Sequence, residues 1–578
     1  MYMKKQKNKK SKIKNKIVTG RKAQLSKTSL KDYSILIGGA AGQGTRLAGL
    51  VIAKLFGALG YHVYIYEDYQ SLIRGGHNFS QIRISQKKAD SRKEKIDFLL
   101  ALDENTLQLH KKNLVKGGPV IFNSDRIKTK GMGIAIEKIT KEEGGSPIMA
   151  NTALIAAFAK IVGIDFKTLK EVLEKELRKQ TELNLKIAEK AYNSTENLVK
   201  ISRVSKNNLL LMTGNEAVAL GAKNAGLNLY FAYPMTPATS ILNYLAKHQE
   251  EFNIRTVQPE DEISVINMAL GASFAGARTA IGTSGGGFGL MVEGLSLAGQ
   301  AETPLLSIEC QRAGPSTGVP TYNLQGDLNF VISAGHGDFS RFVIAPGDAE
   351  ECLYYTGLGL NLAWQYQTPV ILLSDKDVSE NTFNVDQKVF SKIRPVAPLL
   401  WDKKGEYQRY KITKEGISPL AFPGDKKAIV KANSYEHDQY GITTDDEKEI
   451  SAMQEKRMRK FQQMEKEVEK LPAVKIYGKN NARTALVSWG ITKCAAREAA
   501  ENLGIKLIQP IIVEPFPRKQ MAKALKGVKK LISVEMNSSG QMAKVLNSHG
   551  FKVDAKILKY SGRPFFVEEI ERKLKKII

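Results

Sequence analysis

The chain has 578 residues, of which 42% are hydrophobic and 25% are charged, and its formal net charge is +27. This length suits about three to five domains of ordinary size, and the composition is typical of folded protein, so global disorder is excluded. Only three cysteines occur, at Cys310, Cys352 and Cys494. No disulfide framework, zinc knuckle or four-cysteine iron–sulfur site can be built from them, and no metal site is predicted in this chain. We therefore expect a reducing, cytoplasmic location.

Part of the positive charge is local. Residues 1–31 carry twelve Lys or Arg and no acid, which predicts a basic, disordered tail. The rest of the chain is Lys-rich with interspersed acids, so the charge alone does not require a polyanionic partner. A basic-tailed nucleic-acid binder remains only a remote alternative. No apolar run is long enough for a transmembrane helix, and we expect no membrane association.

Residues 32–205 are predicted to form one α/β domain. A buried strand at Tyr33–Gly38, an amphipathic helix at Thr45–Leu59 and a strand at Tyr61–Glu67 make a βαβ unit, which is typical of parallel sheets. Further strands are predicted at Phe79–Ile84, Phe98–Leu102 and Pro119–Phe122, and helices at 151–162 and 166–177.

Helices and strands alternate again over residues 206–390, which predicts a second α/β domain. Its predicted strands are Leu227–Tyr233, Arg255–Gln258, Thr279–Thr283, Leu305–Gln311, Phe342–Ile344 and Val370–Ser374. Helices are predicted at Asn215–Ala225, Ala238–Lys247 and Glu262–Ala277, and from about Phe288.

Residues 391–478 lack this alternation and are predicted to be a linker with one polar helix at about Glu447–Glu469. Residues 479–578 return to alternating strands and helices. The fold class is therefore α/β, with three α/β domains built on mostly parallel sheets.

Four consecutive strands of the second domain end in polar or glycine-rich segments. These segments are Tyr233–Pro237, Glu260–Glu262, Thr283–Gly287, and Arg312 with the loop Gly314–Thr321. Ligands of open parallel sheets bind at the carboxyl ends of the strands. We expect Thr236 to cap a helix that begins at Pro237, and the planar fork of Arg312 to suit a carboxylate. Each segment alone has an ordinary structural explanation, but their succession favours a binding site.

The first domain has a glycine loop that fits no common nucleotide motif. In Gly39-x4-Gly44 the residue after the second glycine is Thr45 and not the lysine of a P-loop. Leu47 occupies the third glycine position of the Rossmann spacing. A second cluster, Tyr69–His77, lies one strand later and is expected to meet this loop.

Taken together, these motifs resemble the 2-oxoacid:ferredoxin oxidoreductases, specifically an alpha subunit with a gamma domain fused at its N-terminus. The resemblance begins near residue 33 and covers nearly all of the chain that follows. The matching segments are Gly39–Gly44, Ser71–Asn78, Tyr233–Pro237, Arg312 with Gly314–Thr321, Ser434–Asp438, and Val534–Asn537 with Gly540-Gln541.

The resemblance implies thiamine diphosphate chemistry with coenzyme A as co-substrate and ferredoxin as electron acceptor. The three domains would be a gamma-like domain, a pyrimidine-binding domain and a transketolase C-terminal-like domain. Thiamine enzymes hold diphosphate and Mg²⁺ through a Gly-Asp-Gly motif, whereas here Gly326-Asp327 is followed by Leu328. We therefore expect a beta subunit to carry the diphosphate site, the metal and the 4Fe–4S cluster.

Residue roles follow from the same resemblance. Glu262 would be the catalytic glutamate that hydrogen-bonds the aminopyrimidine ring, with Glu260 as the competing candidate. The other implied positions are cofactor-binding Thr236, Thr283, Ser284 and Gly286; substrate-binding Thr236, Arg312 and Thr321; and a gamma-like site at Gly39, Gly42, Gly44, Ser71 and Arg74, whose implied ligand is coenzyme A.

The sequence leaves more than one possibility open for the substrate and for the enzyme class. The fused arrangement favours 2-oxoglutarate over pyruvate or a branched-chain 2-oxoacid. Met235 replaces the usual isoleucine, which is a conservative change. Ala334-Gly335 precedes His336 where relatives often carry an arginine, and the missing basic group leaves the exact substrate open. The alternative is a half-subunit of a transketolase or decarboxylase, since such an enzyme would bind the aminopyrimidine ring of thiamine diphosphate in the same way.

Overall fold

A computed structural model describes residues 31–71, 75–204 and 209–578. The predicted tail over residues 1–31 therefore lies almost wholly outside the described residues, and so does Arg74. In the described part of the chain, no helix is both long and apolar enough to cross a membrane.

In the described residues up to position 204, the chain forms six strands and six helices. The strands are β1 (Asp32–Ala41), β2 (His62–Asp68), β3 (Gly75–Ser85), β4 (Phe98–Ala101), β5 (Val120–Asn123) and β6 (Met132–Ile134). The helices are α1 (Thr45–Ala58), α2 (Glu104–His110), α3 (Ile136–Glu142), α4 (Ala150–Ile161), α5 (Phe166–Glu176) and α6 (Thr181–Asn193), with short 3-10 helices at Lys111–Asn113 and Pro147–Met149.

The central segment contains eight strands and nine helices. The strands are β7 (Leu209–Thr213), β8 (Leu229–Phe231), β9 (Arg255–Val257), β10 (Thr279–Thr283), β11 (Leu305–Gln311), β12 (Phe342–Ile344), β13 (Pro369–Asp375) and β14 (Thr382–Asp386). The helices are α7 (Gly214–Asn224), α8 (Thr239–Lys247), α9 (Gln249–Phe252), α10 (Glu262–Phe274), α11 (Gly285–Leu290), α12 (Val292–Gln300), α13 (Leu328–Ser333), α14 (Ala349–Tyr366) and α15 (Lys376–Glu380), followed by a 3-10 helix at Gln387–Lys392.

The last segment contains a long helix and a third α/β unit. Its helices are α16 (Glu447–Val468), α17 (Thr492–Leu503), α18 (Arg518–Leu525), α19 (Gln541–Ser548) and α20 (Val567–Leu574). Its strands are β15 (Val474–Gly478), β16 (Thr484–Val487), β17 (Lys506–Pro510), β18 (Ile512–Glu514), β19 (Lys530–Glu535) and β20 (Ala555–Leu558).

The first sheet has eight strands in the order β6-β5-β4-β1-β3-β2-β14-β7. The strands β6, β5, β4 and β1 pair in parallel, while β3 runs antiparallel between β1 and β2. The strands β1 and β2 of the predicted βαβ unit are therefore parallel but not adjacent. Next to β2 the sheet continues with β14 and ends with β7, which are the last and the first strand of the central segment.

The second sheet positions the predicted site. Its order is β18-β12-β13-β11-β10-β8-β9, and every pair is parallel except that of β12 with the C-terminal strand β18. The strands β10, β11 and β13 are buried along their whole length. Because the central strands are parallel, their carboxyl ends share one edge of the sheet.

The third sheet has the order β15-β17-β16-β19-β20, with β15 as its single antiparallel strand. The helix α16 reaches this unit from the central domain, onto which it is docked by a buried ion cluster. Both Lys456 and Lys460 of α16 pair with Glu302, and all three side chains are almost completely buried. The prediction of an α/β fold built on three sheets is thus confirmed.

Candidate active site

The helix α10 places one carboxylate inside the protein and leaves its neighbour outside. The side chain of Asp261 caps the helix by accepting a hydrogen bond from the Ser264 N–H at 2.8 Å. Glu262, the first helical residue, is 4% exposed, and its Oε1 has no hydrogen-bond partner among the described residues. Glu260 is exposed and accepts a hydrogen bond from the Ser264 hydroxyl. Geometry therefore separates the two candidate glutamates, and Glu262 is the buried one.

The Glu262 carboxylate lies against the end of β10. A Cβ placed on Gly287 would lie 2.6 Å from Glu262 Oε1 and 2.2 Å from Thr283 Oγ1, so any larger residue would force these two side chains to move. The Thr283 hydroxyl in turn lies 3.9 Å from the sulfur of Met235, which follows β8. The ends of β8 and β10 and the start of α10 therefore meet around one buried carboxylate.

The segment after β11 supplies a cation beside these groups. Arg312 Nη1 donates a hydrogen bond to the Thr236 carbonyl at 2.8 Å, while Arg312 Nε is buried without a described partner. Partial burial lowers the pKa of Arg312. Thr321 is 4% exposed, and its hydroxyl also has no partner among the described residues. The predicted substrate residues Thr236 and Arg312 are thus in direct contact.

The role predicted for Thr236 as a helix cap was wrong. The helix α8 begins at Thr239, with Ala238 at the capping position, and residues 236–238 form a turn. The Thr236 carbonyl is used instead, as the acceptor for Arg312. The hydroxyl of Thr236 is therefore not committed to capping α8.

The glycine-rich segment after β10 opens the short helix α11. Ser284 occupies the capping position and is completely buried, but its hydroxyl has no hydrogen-bond partner among the described residues. A Cβ on Gly286 would have only the Ser316 carbonyl oxygen near it, at 4.0 Å. Several polar groups near one edge of the sheet thus lack partners, as expected where a ligand contacts the protein.

Sequence reasoning missed Glu309, which lies on β11 directly opposite Thr283. Glu309 is completely buried, and neither carboxylate oxygen has a hydrogen-bond partner among the described residues. Burial, reinforced by the nearby charges of Asp327 and Asp375, raises the pKa of Glu309 well above its usual range. A glutamate within the apolar strand LLSIECQ was the signal that could have revealed it.

The two glycine-containing clusters of the first domain do meet. Their strands pair so that Ala41 lies opposite Gly75 and Gly39 opposite Asn78. Gly42 and Gly44 both have positive φ angles, 90° and 72°, which favour glycine. Ser71 is exposed at the end of the described residues before the gap.

A cavity of about 560 Å³ adjoins this loop at the carboxyl ends of β1, β4 and β5. Its lining includes Gly42, Gln43, Asn123, Arg126, Lys141 and Asn151. Among the residues that the structure describes, no group of three or more His, Cys, Asp or Glu side chains could hold a metal ion.

Comparison with known proteins extends over nearly the whole chain. Residues 34–194 match the family model "Pyruvate ferredoxin/flavodoxin oxidoreductase", and residues 220–457 match "Pyruvate flavodoxin/ferredoxin oxidoreductase, thiamine diP-bdg". The 2-oxoacid:ferredoxin oxidoreductase alpha subunit of Saccharolobus solfataricus is 32% identical, over 94% of this chain and 98% of that protein. The chain belongs to the 2-oxoacid:ferredoxin oxidoreductase family.

Within this family the chain is an alpha subunit. The solved 2-oxoglutarate:ferredoxin oxidoreductase of Magnetococcus marinus, with 2-oxoglutarate, coenzyme A and succinyl-CoA bound, is 30% identical. It covers 94% of this chain and 99% of its own, with a TM-score of 0.87. The 2-oxoglutarate synthase subunit KorA of Archaeoglobus fulgidus is 31% identical over 58% of this chain and 89% of its own length. The predictions of family, enzyme class and subunit are confirmed.

Proposed function

We propose that this alpha subunit supplies the pyrimidine-binding half of a thiamine diphosphate site, with Glu262 as its catalytic residue. The observation that carries the proposal is the buried, unpartnered Oε1 of Glu262 beside Thr283 and Gly287. A buried carboxylate without a partner is costly, and a ring nitrogen of the aminopyrimidine would satisfy it. The unpartnered hydroxyl of Ser284 and the open side of Gly286 fit the same heterocycle.

Thiamine diphosphate, when bound, supplies the electron sink that permits decarboxylation of a 2-oxoacid. The part of this chain is to hold and exchange a proton at Glu262 Oε1. The capped start of α10 fixes that carboxylate, and Gly287 allows it to lie close to β10. Its burial excludes water, which strengthens any hydrogen bond that it makes.

Arg312, Thr236 and Thr321 are proposed to hold the 2-oxoacid. The Arg312 guanidinium is fixed through Nη1 to the Thr236 carbonyl, which leaves its other donors for a carboxylate. The unpartnered Thr321 hydroxyl is a second donor in the same loop region. We favour 2-oxoglutarate, because the solved relative that matches 94% of the chain contains it and KorA is named a 2-oxoglutarate synthase subunit.

The missing half of the site is assigned to a partner beta subunit, which would also carry the iron–sulfur cluster and pass electrons to ferredoxin. The chain has three cysteines, all of them buried, and no Gly-Asp-Gly sequence. Large apolar side chains on the helices around Glu262 remain half exposed: Ile263 at 51%, Met268 at 45% and Leu290 at 54%. An apolar face next to an incomplete site is the surface that such a subunit would cover.

Coenzyme A is proposed as the acyl acceptor, and the cavity beside Gly42 as its place in the gamma-like domain. Arg126 and Lys141 line this cavity; Arg126 is ion-paired with Glu137 of the same lining, which leaves Lys141 to favour a phosphate group. Its volume of about 560 Å³ is within the range of small-molecule sites. The reaction would take place in the cytoplasm.

The decisive experiment compares Glu262→Gln with Glu260→Gln in the complete heteromeric enzyme. Both substitutions remove one charge at the same helix end, but only Glu262 is buried beside Thr283. We expect Glu262→Gln to lower kcat for 2-oxoacid-dependent reduction of ferredoxin by about 10²- to 10⁴-fold. Glu260→Gln should retain activity within about twofold, because its carboxylate is exposed. Equal losses in both variants would contradict the assignment.

A further inference from the structure

A buried arginine far from Glu262 in the chain forms no ion pair with the residues that the structure describes. Arg92 is 7% exposed, and its guanidinium lies between the rings of Tyr66 and Phe566, at 4.1 and 4.2 Å from their centroids. It makes no hydrogen bond or ion pair with any described residue, and its Nε is fully buried. Asp377, a buried acid whose pKa is raised by burial and lowered in part by the charge of Arg92, is instead hydrogen-bonded to Asn323 at 3.0 Å and ion-paired with Lys376 at 3.5 Å.

Arg92 faces a cavity of about 530 Å³ where the three α/β units meet. Tyr322 comes from the central unit, and Arg563 and Phe566 come from the C-terminal unit. The two acids in the cavity lining are already engaged: Asp68 pairs with Arg563 at 2.9 Å, and Glu94 pairs with Arg572 at 2.7 Å. Lys112 also lines the cavity and has no ion pair with a described residue. The charge left over in the cavity is therefore positive.

A second buried polar atom in this cavity also lacks a partner. His77 is 7% exposed, and its Nε2 lies 2.8 Å from Nε2 of His110, while its Nδ1 has no partner among the described residues. Burial lowers the pKa of both histidines, that of His110 to about 4. The lowered pKa values favour neutral imidazoles, and one tautomer of His77 presents an N–H from Nδ1.

A buried guanidinium is normally paired, because burying an unpaired charge is very costly. Stacking on two rings satisfies the faces of the Arg92 guanidinium but none of its N–H donors, which lie in its plane. We propose that this cavity binds an oxyanion, a carboxylate or a phosphate group, on Arg92, with His77 as a second contact. The aromatic walls formed by Phe79, Tyr322 and Phe566 suit an apolar or heteroaromatic portion of the same ligand.

This site is separate from the proposed coenzyme A cavity, whose lining includes Gly42, Arg126 and Lys141. It also does not depend on the role of Glu262. A ligand there would contact residues of all three units at once, and it would stabilise their arrangement by mass action.

The test uses the complete heteromeric enzyme and three probes: inorganic phosphate, acetate and coenzyme A. Each is titrated against thermal unfolding, with sodium chloride at equal ionic strength as reference. The variants are Arg92→Met and His77→Ala, with Arg518→Met as the matched control because Arg518 is exposed at the start of α18, outside the cavity lining. If the loss of Arg92 prevents assembly, His77→Ala still tests the site, because it leaves Arg92 stacked between its two aromatic rings.

We expect at least one probe to raise the melting temperature saturably in the wild type and in Arg518→Met. Arg92→Met should weaken that probe's apparent affinity by about tenfold or more, and His77→Ala by a smaller factor. If coenzyme A raises the melting temperature at a lower concentration than phosphate does, and this effect depends on Arg92, then the phosphate groups of coenzyme A are the oxyanions that bind. An Arg92-dependent effect of acetate identifies a carboxylate. No effect beyond that of chloride, or equal affinity in all variants, overturns the proposal.

Discussion

Substituting Gly287 tests whether the position of the Glu262 carboxylate limits catalysis. An alanine Cβ at this position would lie 2.2 Å from Thr283 Oγ1 and 2.6 Å from Glu262 Oε1. To reach about 3.0 Å, the two oxygens must retreat by about 0.8 and 0.4 Å. Overpacking of this kind costs about 1–3 kcal/mol of unfolding free energy. A 1 Å displacement of a catalytic group lowers the rate by about 10²-fold, so the shift of about 0.4 Å required of Glu262 Oε1 should lower it by about tenfold or less.

We therefore expect Gly287→Ala to fold and assemble, and to lower kcat by about 3- to 10-fold in 2-oxoacid-dependent ferredoxin reduction. The control is Gly57→Ala, a helical glycine whose added Cβ would meet only Leu211, at an ordinary 3.9 Å. That control should keep full activity and gain about 0.5–1 kcal/mol of stability from its better helix propensity.

A double variant decides whether Gly287 acts through Glu262. If it does, Gly287→Ala should add almost nothing to the loss caused by Glu262→Gln, because both remove the same interaction. Wild-type activity in Gly287→Ala would refute this account of the site. Fully multiplicative losses in the double variant would show that Gly287 acts elsewhere.

Three further predictions concern buried charges. Glu302→Gln leaves Lys456 and Lys460 buried without their counter-charge, so we expect chemical denaturation to show that the free energy of unfolding falls by about 3–5 kcal/mol. A decrease below about 1 kcal/mol would be inconsistent with an intact ion cluster. Burial raises the pKa of Glu67 from 4.5 to about 7, so the folded protein binds this proton more tightly and loses stability as pH rises across that interval. The stability of Glu67→Gln relative to wild type should therefore grow by about 3 kcal/mol between pH 4 and 8, whereas a constant difference would argue against a buried neutral carboxyl. Arg83→Met removes a buried guanidinium that pairs with Asp32 of the first unit and Glu498 of the last. Calorimetry should show that the free energy of unfolding falls by about 3 kcal/mol, and Arg83→Lys should restore part of it. An unchanged melting temperature would contradict a stabilising role for these ion pairs.

Local periodicity was sufficient for most elements of the sheets. The strands predicted at Thr279–Thr283 and Leu305–Gln311 have the same bounds in the structure, because continuous apolar runs bounded by glycine or polar residues specify buried strands well. The position of β3 between β1 and β2 was not predictable in this way. Strand neighbours are chosen by long-range packing, which leaves no local pattern in the sequence.

The candidate site was accessible from the sequence to a similar degree. Strand ends in a parallel sheet meet at one edge, so the proximity of Thr236 to Arg312 followed from topology alone. Which of Glu260 and Glu262 points inward depends on the exact start of α10, which composition does not specify. The isolation of Glu309 and Arg92 depends on what surrounds each side chain in three dimensions, and no spacing rule gives that.

The pairing of β7 with β14 has a mechanical consequence. These strands begin and end the central segment, yet they lie side by side at the edge of the first sheet, with Thr213 opposite Thr382. About 170 residues are thus closed into a loop whose two ends are fastened at one place. A force applied to either end loads the other across the same hydrogen-bonded ladder. This attachment at both ends opposes rotation of the central unit about a single hinge. If β7 separates from the sheet, β14 becomes the exposed edge strand.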